Sequence, residues 1–274
     1  MALLPSELCV VQRLVFERAA IVLRDEQSYL VESRLTPLAK ESGCDLSTLV
    51  ARIGREPHGG LHERVVEAMT TNETSFFRDR HPFAALKDHV LPELLLGLSS
   101  KRRLRVWSAA CSSGQEAYSL LMLMWESFPL LKLWDVKVLG TDLASKMVER
   151  ARSGVYTQLE IGRGLPSPML VKYFERSGLD FRVNEELRRR TEWQVANLTR
   201  SSLRVGHFDL IFLRNVLIYF NSETRARVLS VMAGSMHPTS YLFLGSTETT
   251  HGACDALEAV TIGKTTAYRL KRQK

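Results

Sequence analysis

Two acidic residues stand where a carboxylate has a chemical use. Glu116 opens a predicted helix after the loop SAACSSG of residues 108–114, and Asp142 ends a predicted strand. A carboxylate at a helix start disfavours a pyrophosphate and suits an ammonium or sulfonium group. A carboxylate at a strand end can accept hydrogen bonds from both hydroxyls of a ribose. Each residue also has an ordinary structural role, because Glu116 favours the helix dipole and Asp142 can cap the next helix.

The loop before Glu116 narrows the choice of ligand. Its small side chains let a ligand lie close to the backbone. Its single glycine, Gly114, falls short of the G-x-G-x-x-G fingerprint and weakens a dinucleotide interpretation. Together with the two carboxylates, this composition favours an adenosine with a positively charged tail, which is the chemistry of S-adenosylmethionine.

Asparagines follow two further predicted strands. Asn197 and Leu198 end a strand predicted over residues 193–197, where they can present an amide and a backbone N–H to an adenine edge. Asn215 and Val216 follow the apolar strand 208–213, with Tyr219 just beyond. A lone asparagine at a strand end is typical of turns, but Asn215 interrupts an apolar run, where a buried amide needs partners.

The segment TTNETSFFRD of residues 70–79 is dense in hydrogen-bonding groups and then presents two aromatic side chains. One interpretation is a helix capped by Asn72 or Thr74, with the two phenylalanines packed at a domain boundary. That interpretation does not require an asparagine, several threonines and Arg78 within nine residues. We therefore expect a segment that closes over the ligand from the N-terminal domain.

Composition excludes several classes of protein. With 45% apolar and 24% charged residues, the 274-residue chain is not wholly disordered. The longest strongly apolar run, residues 117–125, is far below the roughly 20 residues that cross a bilayer. The start MALLPSEL lacks a basic segment before a hydrophobic one, so a secretory signal is not expected. Four scattered cysteines predict neither a zinc site nor a disulfide framework, and a reducing, cytoplasmic location is expected.

The net charge of +7 is unevenly distributed. Residues 1–90 carry 11 Lys and Arg against 13 Asp and Glu, whereas residues 91–274 carry 26 against 17. A basic face attracts nucleic acid, a membrane surface or an acidic protein. Since most of the cations are scattered, a merely solubilising surface is the alternative. Nothing in the pattern singles out nucleic acid.

Hydrophobic periodicity predicts two domains. Residues 1–85 read as a small all-helical domain, and residues 86–274 as strands alternating with helices. Strands are predicted at 104–107, 136–139, 193–197, 208–213, 241–244 and 266–270. This alternation predicts an α/β fold with a doubly wound, mostly parallel sheet. The 40 residues before the third strand are too many for a simple connection, so residues 155–192 are predicted to form a small antiparallel β-subdomain, with a hairpin of 181–184 and 186–188.

Four motifs, in this order, resemble the chemotaxis receptor glutamate methyltransferases (CheR-type). They are TTNETSFFRD, VWSAACSSGQEAYSL, LGTDLASKMVERARSGVY and FDLIFLRNVLIYF. The resemblance runs from about residue 10 to residue 270 and implies a helical N-terminal domain joined to a class I (Rossmann-like) methyltransferase domain with a β-subdomain insertion. Ala117 is one departure, since the family often has proline there. The implied cofactor contacts are Asn72, Thr74, Arg78, Glu116, Asp142, Asn197, Leu198, Asn215 and Val216.

The resemblance also implies an activity. The family transfers a methyl group from S-adenosylmethionine to glutamate side chains on receptor helices, leaving S-adenosylhomocysteine, without a metal. A glutamate is ionised at neutral pH, with a reference pKa of about 4.3, so it needs no general base. Catalysis then rests on alignment, with Arg78 orienting the acceptor or the cofactor carboxylate and Tyr219 donating one hydrogen bond near the methyl group.

The expected partner is the cytoplasmic domain of a chemoreceptor. The protein is expected to be a monomer that binds no nucleic acid and does not insert into a membrane. Some relatives dock a receptor tail peptide through a glycine-containing loop. The corresponding link here, residues 174–181, is short and has a single glycine, which predicts that the tail is not used. Recognition would then fall on a basic face that includes Arg188, Arg189 and Arg190, unless these are only a solvated strand edge. The alternatives are a methyltransferase acting on RNA or a small molecule, or a non-catalytic cofactor-binding sensor or scaffold.

Overall fold

Contacts divide the chain into two units, each described by itself. The computed structural model describes residues 3–56, 59–200, 203 and 205–271. The helical unit comprises Met1–Thr71 and Tyr219–Thr224, and the sheet unit comprises Asn72–Ile218 and Arg225–Lys274. No helix in the described part of the chain is long and apolar enough to cross a bilayer.

The helical unit is built from four amphipathic helices. They are α1 (Pro5–Ala19), α2 (Ser28–Glu41), α3 (Leu46–Arg55) and α4 (Gly60–Met69). Their apolar positions recur every three or four residues, so each helix buries one stripe, with Val11, Val31 and Leu49 fully enclosed. Asp45 caps α3 by accepting a hydrogen bond from the backbone N–H of Thr48 at 2.7 Å.

The sheet unit confirms the predicted fold class. Its seven strands are β1 (Arg103–Ala109), β2 (Asp135–Asp142), β6 (Thr191–Val195), β7 (Phe208–Leu213), β8 (Met236–Leu244), β9 (Leu257–Ile262) and β10 (Thr265–Leu270). Their order is β6-β2-β1-β7-β8-β10-β9, with parallel pairing from β6 to β8 and antiparallel pairing of β10 with its two neighbours. The strands that follow β1 in the chain, β2 and β6, lie on one side of β1, whereas β7 and the later strands lie on its other side. The strand order therefore reverses between β1 and β7, where ligands of such sheets bind.

Helices accompany these strands. The helices of the sheet unit before β6 are α5 (His81–Ala85), α6 (Leu91–Leu98), α7 (Gln115–Ser127), α8 (Ser145–Ser153), α9 (Gln158–Gly162), α10 (Ser167–Tyr173) and α11 (Glu185–Arg188). Helix α12 (Ser222–Gly234) follows β7. A π-helical turn, Leu86–Val90, joins α5 to α6, so three helical pieces follow one another from His81 to Leu98. Ala144 precedes α8, and Gly154 ends this helix in the left-handed conformation.

A second, three-stranded antiparallel sheet lies within residues 155–183. Its strands are β3 (Val155–Tyr156), β4 (Phe174–Ser177) and β5 (Asp180–Val183), in the order β3-β5-β4. The predicted pairing of 181–184 with 186–188 is wrong. Asn184 accepts a hydrogen bond from the backbone N–H of Leu187 at 3.0 Å, and this cap starts α11 where a strand was expected.

The basic run after Asn184 is also not a strand edge. Arg188 and Arg189 both pair with Glu185 on α11. Arg190 donates to the backbone carbonyls of Trp134 at 2.8 Å and Lys132 at 2.9 Å. Arg190 therefore anchors the chain before β6, and the predicted basic face loses this residue.

Candidate active site

The loop after β1 is held in an unusual backbone conformation. Ala110 and Ser112 have φ angles of 58° and 49°, and Gly114 has a φ of 94°. A side chain at Gly114 would place its Cβ 2.8 Å from the Cβ of Ala151, so only glycine fits. Left-handed conformations at non-glycine residues cost free energy and cluster at ligand sites. The loop thus delivers small side chains and the first turn of α7 to the point where the strand order reverses.

Asp142 fixes this loop from the neighbouring strand. Its Oδ2 accepts from the backbone N–H of Ser112 at 2.7 Å, and its Oδ1 accepts from that of Ala144 at 3.0 Å. The carboxyl group is nearly buried at the end of β2. Because two backbone donors set its orientation, Asp142 is a rigid acceptor at the carboxyl edge of the sheet.

Glu116 belongs to an ionic network whose centre the sequence analysis missed. Arg214 follows β7 directly, and its side chain is only 1% exposed. Its Nη1 donates to Glu116 Oε2 at 3.1 Å, and its Nη2 donates to Asp79 Oδ2 at 2.6 Å. Ser108 donates to the other Glu116 oxygen at 2.7 Å. A cation directly after a buried strand that is apolar except for Asp209 was the available signal, since a buried charge needs ionic partners.

The segment of residues 72–80 joins the same edge. Ser112 Oγ donates to the carbonyl of Asn72 at 2.8 Å, and the N–H of Phe77 donates to Ser119 Oγ at 3.0 Å. The carbonyl of Arg78 accepts from Arg214 Nη2 at 3.1 Å. The alternative of a helix capped by Asn72 or Thr74 is wrong, because α5 starts only at His81. Thr74 is half-buried within the segment.

Asn215 and Val216 lie in a turn fastened by a second missed residue, Glu248. Glu248 Oε2 accepts from the N–H groups of Asn215 at 2.8 Å and Gly245 at 2.7 Å. Its Oε1 accepts from Val216 at 2.9 Å and Leu217 at 2.7 Å. Asn215 is left-handed, with a φ of 59°. Glu248 lies four residues beyond the end of β8, and an acid shortly after a strand end is the local signal that marks it.

Asn197 and Leu198 follow β6 beside Asp142. The N–H of Ala196 donates to the carbonyl of Asp142 at 2.8 Å, which brings the two strand ends together. Asn197 Oδ1 accepts from the N–H of Thr199 at 3.0 Å and from its hydroxyl at 2.7 Å. The side-chain carbonyl of Asn197 therefore also stabilises a turn, which is a common role of asparagine after a strand.

Nine of the ten predicted site residues lie in the sheet unit, and Tyr219 belongs to the helical unit. There, the Tyr219 carbonyl accepts from the N–H of Val22 at 2.9 Å. The other nine lie at the four strand ends and in the 72–80 segment described above.

Two protonated groups adjoin the loop after β1. Burial, reinforced by the charges of Asp142 and Glu116, raises the pKa of the Cys111 thiol well above its usual value. Burial likewise raises the pKa of Tyr156, whose hydroxyl donates to the carbonyl of Ser113 at 2.7 Å. The Cys111 thiol therefore stays protonated at neutral pH and does not supply a thiolate nucleophile. Within the described ranges, no three His, Cys, Asp or Glu side chains are grouped to hold a metal ion.

Comparison with known proteins gives a consistent result. A family model described as CheR methyltransferase, SAM binding domain, matches residues 72–265. Chemotaxis protein methyltransferase 1 of Pseudomonas aeruginosa is 43% identical over 257 residues, which are 92% of this chain and 93% of that protein. The chemotaxis protein methyltransferase of Vibrio parahaemolyticus is 40% identical over 94% of each chain. That of Escherichia coli is 33% identical over 87% of this chain and 82% of its own length.

Proposed function

The chain belongs to the CheR methyltransferase family, and from this premise we propose that it methylates glutamate side chains on the cytoplasmic helices of chemoreceptors, forming methyl esters for sensory adaptation in chemotaxis. The methyl donor is S-adenosylmethionine and the product is S-adenosylhomocysteine. The observation that carries the proposal is the convergence of segment 72–80, Glu116 and Arg214 at the switch point of the sheet. The domain boundary at residues 85 and 86 stays a prediction.

The residues present fit this cofactor. Asp142 is an oriented acceptor for ribose hydroxyls at the end of β2. Gly114 leaves no room for a side chain because Ala151 and Trp193 fill that space, so glycine lets the loop pack closely on α8 and β6 where it turns into α7. We assign Glu116 to the cationic tail, with Asn197, Leu198, Asn215 and Val216 around the adenosyl part. The N–H of Val216 is held by Glu248, so Val216 would make contact through its carbonyl or side chain.

The chain's residues would act by orientation. When bound, S-adenosylmethionine supplies an activated methyl group. The acceptor carboxylate is ionised at neutral pH and needs no base. We assign Asn72, Thr74 and Arg78 to the cofactor, with Arg78 orienting a carboxylate. Tyr219 would donate one hydrogen bond near the methyl group. Strong cationic stabilisation of the acceptor would slow attack, since its charge is lost as the ester forms.

The same proposal covers partners and location. The protein would act in the cytoplasm as a monomer, on the receptor cytoplasmic domain, without nucleic acid or membrane insertion. The β4–β5 link is a tight turn at Gly178 and Leu179. This supports docking without a receptor tail peptide, and a titration with such peptides tests it: micromolar binding would contradict this part.

Transfer of a radioactive methyl group tests the function. The protein, tritiated S-adenosylmethionine and membranes from the source organism should yield label on receptor bands that alkali releases, as a methyl ester requires. Asp142→Ala should weaken S-adenosylhomocysteine binding strongly in calorimetry, because charge-assisted hydrogen bonds contribute about 1.5–3 kcal/mol each. The matched control, Asp180→Ala on β5, should bind normally. Label that appears only on added RNA, or that resists alkali, would contradict the proposal.

A further inference from the structure

An apolar cavity of about 550 Å³ opens on the surface of the sheet unit. Phe77, Phe83 and Leu123 form its buried floor, while Leu165 and Met169 are half-buried and Ala84 is exposed. The walls come from α5, α7 and residues 162–169. An apolar concavity of this size that stays open to solvent is typical of a binding surface.

The rim of this cavity is cationic. A second cavity of about 590 Å³ shares Phe77, Arg80 and Gly164 with the first and is also lined by Arg78 and Arg163. Arg163 pairs with Glu73 at 3.1 Å, but both side chains are more than half exposed, so this pair contributes little. In the part of the chain that the structure describes, Arg78 and Arg80 have no ion pair, and the carboxylate of Asp79 pairs with the buried Arg214.

The second cavity borders the proposed active site at Arg78, which lines it. Arg78 contributes its carbonyl to Arg214, which in turn holds Glu116. A Cβ at Gly164 would lie 2.1 Å from the carbonyl oxygen of Phe76, so residues 162–166 press directly on segment 72–80. A chain lying along the cavities would therefore pass beside Arg78.

We propose that these cavities form one groove that docks an amphipathic, acidic helix of the methyl-accepting protein. An apolar side chain of this helix would fill the cavity over Phe83 and Met169, and acidic side chains one turn away would face Arg80 and Arg78. This is the helix-in-groove mode of recognition, with charge complementarity at the rim. The inference rests on the proposed function and specifies where its protein substrate binds.

Steady-state kinetics with two substrates tests the groove. The probe is a purified cytoplasmic fragment of a chemoreceptor from the source organism, and the variants are Ala84→Glu and Arg80→Glu in the full chain. Ala84 is exposed on α5, so the glutamate should be tolerated by the fold while blocking and repelling an acidic helix. Leu96→Glu on α6 and Lys101→Glu are the matched controls, since both positions are exposed and lie outside the groove.

Each groove variant should raise the KM for the receptor fragment by about 10-fold or more, as charge complementarity at interfaces predicts. The KM for S-adenosylmethionine and the binding of S-adenosylhomocysteine should stay within 2-fold of the wild type, and the controls should change neither substrate's KM. Salt should raise the fragment's KM for the wild type and much less for Arg80→Glu.

The outcomes separate this inference from the function beneath it. Normal methylation kinetics in both groove variants, with an active wild type, would overturn the groove. A change in cofactor binding equal to the change in fragment KM would also overturn it, because the cavity would then serve the cofactor. A wild type that binds S-adenosylhomocysteine but never labels the fragment would count against the proposed function instead.

Discussion

The turn that follows β7 and the segment of residues 72–80 both border the predicted cofactor site, yet different forces hold them. One carboxylate, Glu248, accepts from consecutive backbone N–H groups of the β7 turn. The 72–80 segment is held by contacts of several kinds. Its backbone makes single hydrogen bonds to Ser112, Ser119 and Arg214, the Asp79 carboxylate pairs with Arg214, and Phe76 and Phe77 are buried in the core. Three of its non-glycine residues have positive φ angles.

This difference matches the two ligands that a methyltransferase must handle. The adenosyl part of the cofactor is invariant, so a pre-organised turn is an advantage. A protein substrate varies, and the exposed residues of segment 72–80, Glu73 and Arg80 among them, can adapt to it. We therefore expect damage to the β7 turn to affect cofactor affinity alone, and damage to segment 72–80, where Asn72, Thr74 and Arg78 are assigned to the cofactor, to affect the acceptor as well.

Arg214→Met removes a side chain that originates at the β7 turn and binds segment 72–80, and it should have the largest effect. Breaking a buried ion pair typically costs about 3–5 kcal/mol, because the remaining charges lose their partner. We expect unfolding free energy, measured with urea, to fall by about that amount and S-adenosylhomocysteine binding to be lost. Arg214→Lys should recover only part of the unfolding free energy and part of the binding, because lysine lacks the planar guanidinium group with its several fixed donors. A stable Arg214→Met variant with normal binding would remove the network from the site.

Glu248→Gln tests the anchor of the β7 turn. An amide NH₂ would face backbone N–H groups that now point at a carboxylate oxygen, and a buried unsatisfied donor costs about 1–3 kcal/mol. We expect S-adenosylhomocysteine affinity to fall about 10-fold, which corresponds to 1.4 kcal/mol, with the acceptor KM unchanged. Glu258→Gln, an exposed position on β9, is the matched control. An Asn215→Ala change that adds its full effect in the Glu248→Gln background would show that the two residues act independently.

A pair of glycine substitutions sharpens the comparison. A Cβ at Gly245 would lie 2.6 Å from Glu248 Oε2 and 2.9 Å from the backbone nitrogen of Asn215, whereas one at Gly164 would meet the carbonyl of Phe76. Gly245→Ala should therefore weaken S-adenosylhomocysteine binding, and Gly164→Ala should raise the KM for a receptor fragment. Gly97→Ala on α6, with no neighbour within 4 Å and outside both cavities, should change neither. Equal effects of both substitutions on both substrates would erase the proposed division of roles.

Sequence patterns predicted the parallel sheet because each buried strand is a short, mostly apolar run. For β7, both the first and the last residue match the predicted strand 208–213. They also predicted the acids at two strand ends, since these are local features. Glu248 and Arg214 were missed because their partners lie up to 33 and up to 136 residues away in the chain. The hairpin at 181–188 was wrong because the Asn184 cap outweighed the strand pattern. Assignment of the site residues to cofactor or acceptor stays a prediction.

The smallest expected effect is a pH dependence of stability from Cys111, in the loop after β1. Its pKa is raised in the folded protein by burial, so the thiol is kept protonated. The stabilising contribution is complete below the unfolded pKa of about 8.5 and is lost above it, because only the unfolded chain then releases the proton. Between pH 8.5 and 9.5, unfolding free energy should therefore fall by up to about 1.4 kcal/mol per pH unit. Cys111→Ala should remove that slope, whereas Cys9→Ala at an exposed position should keep it. An unchanged slope in Cys111→Ala would mean that the thiol already ionises in the folded protein.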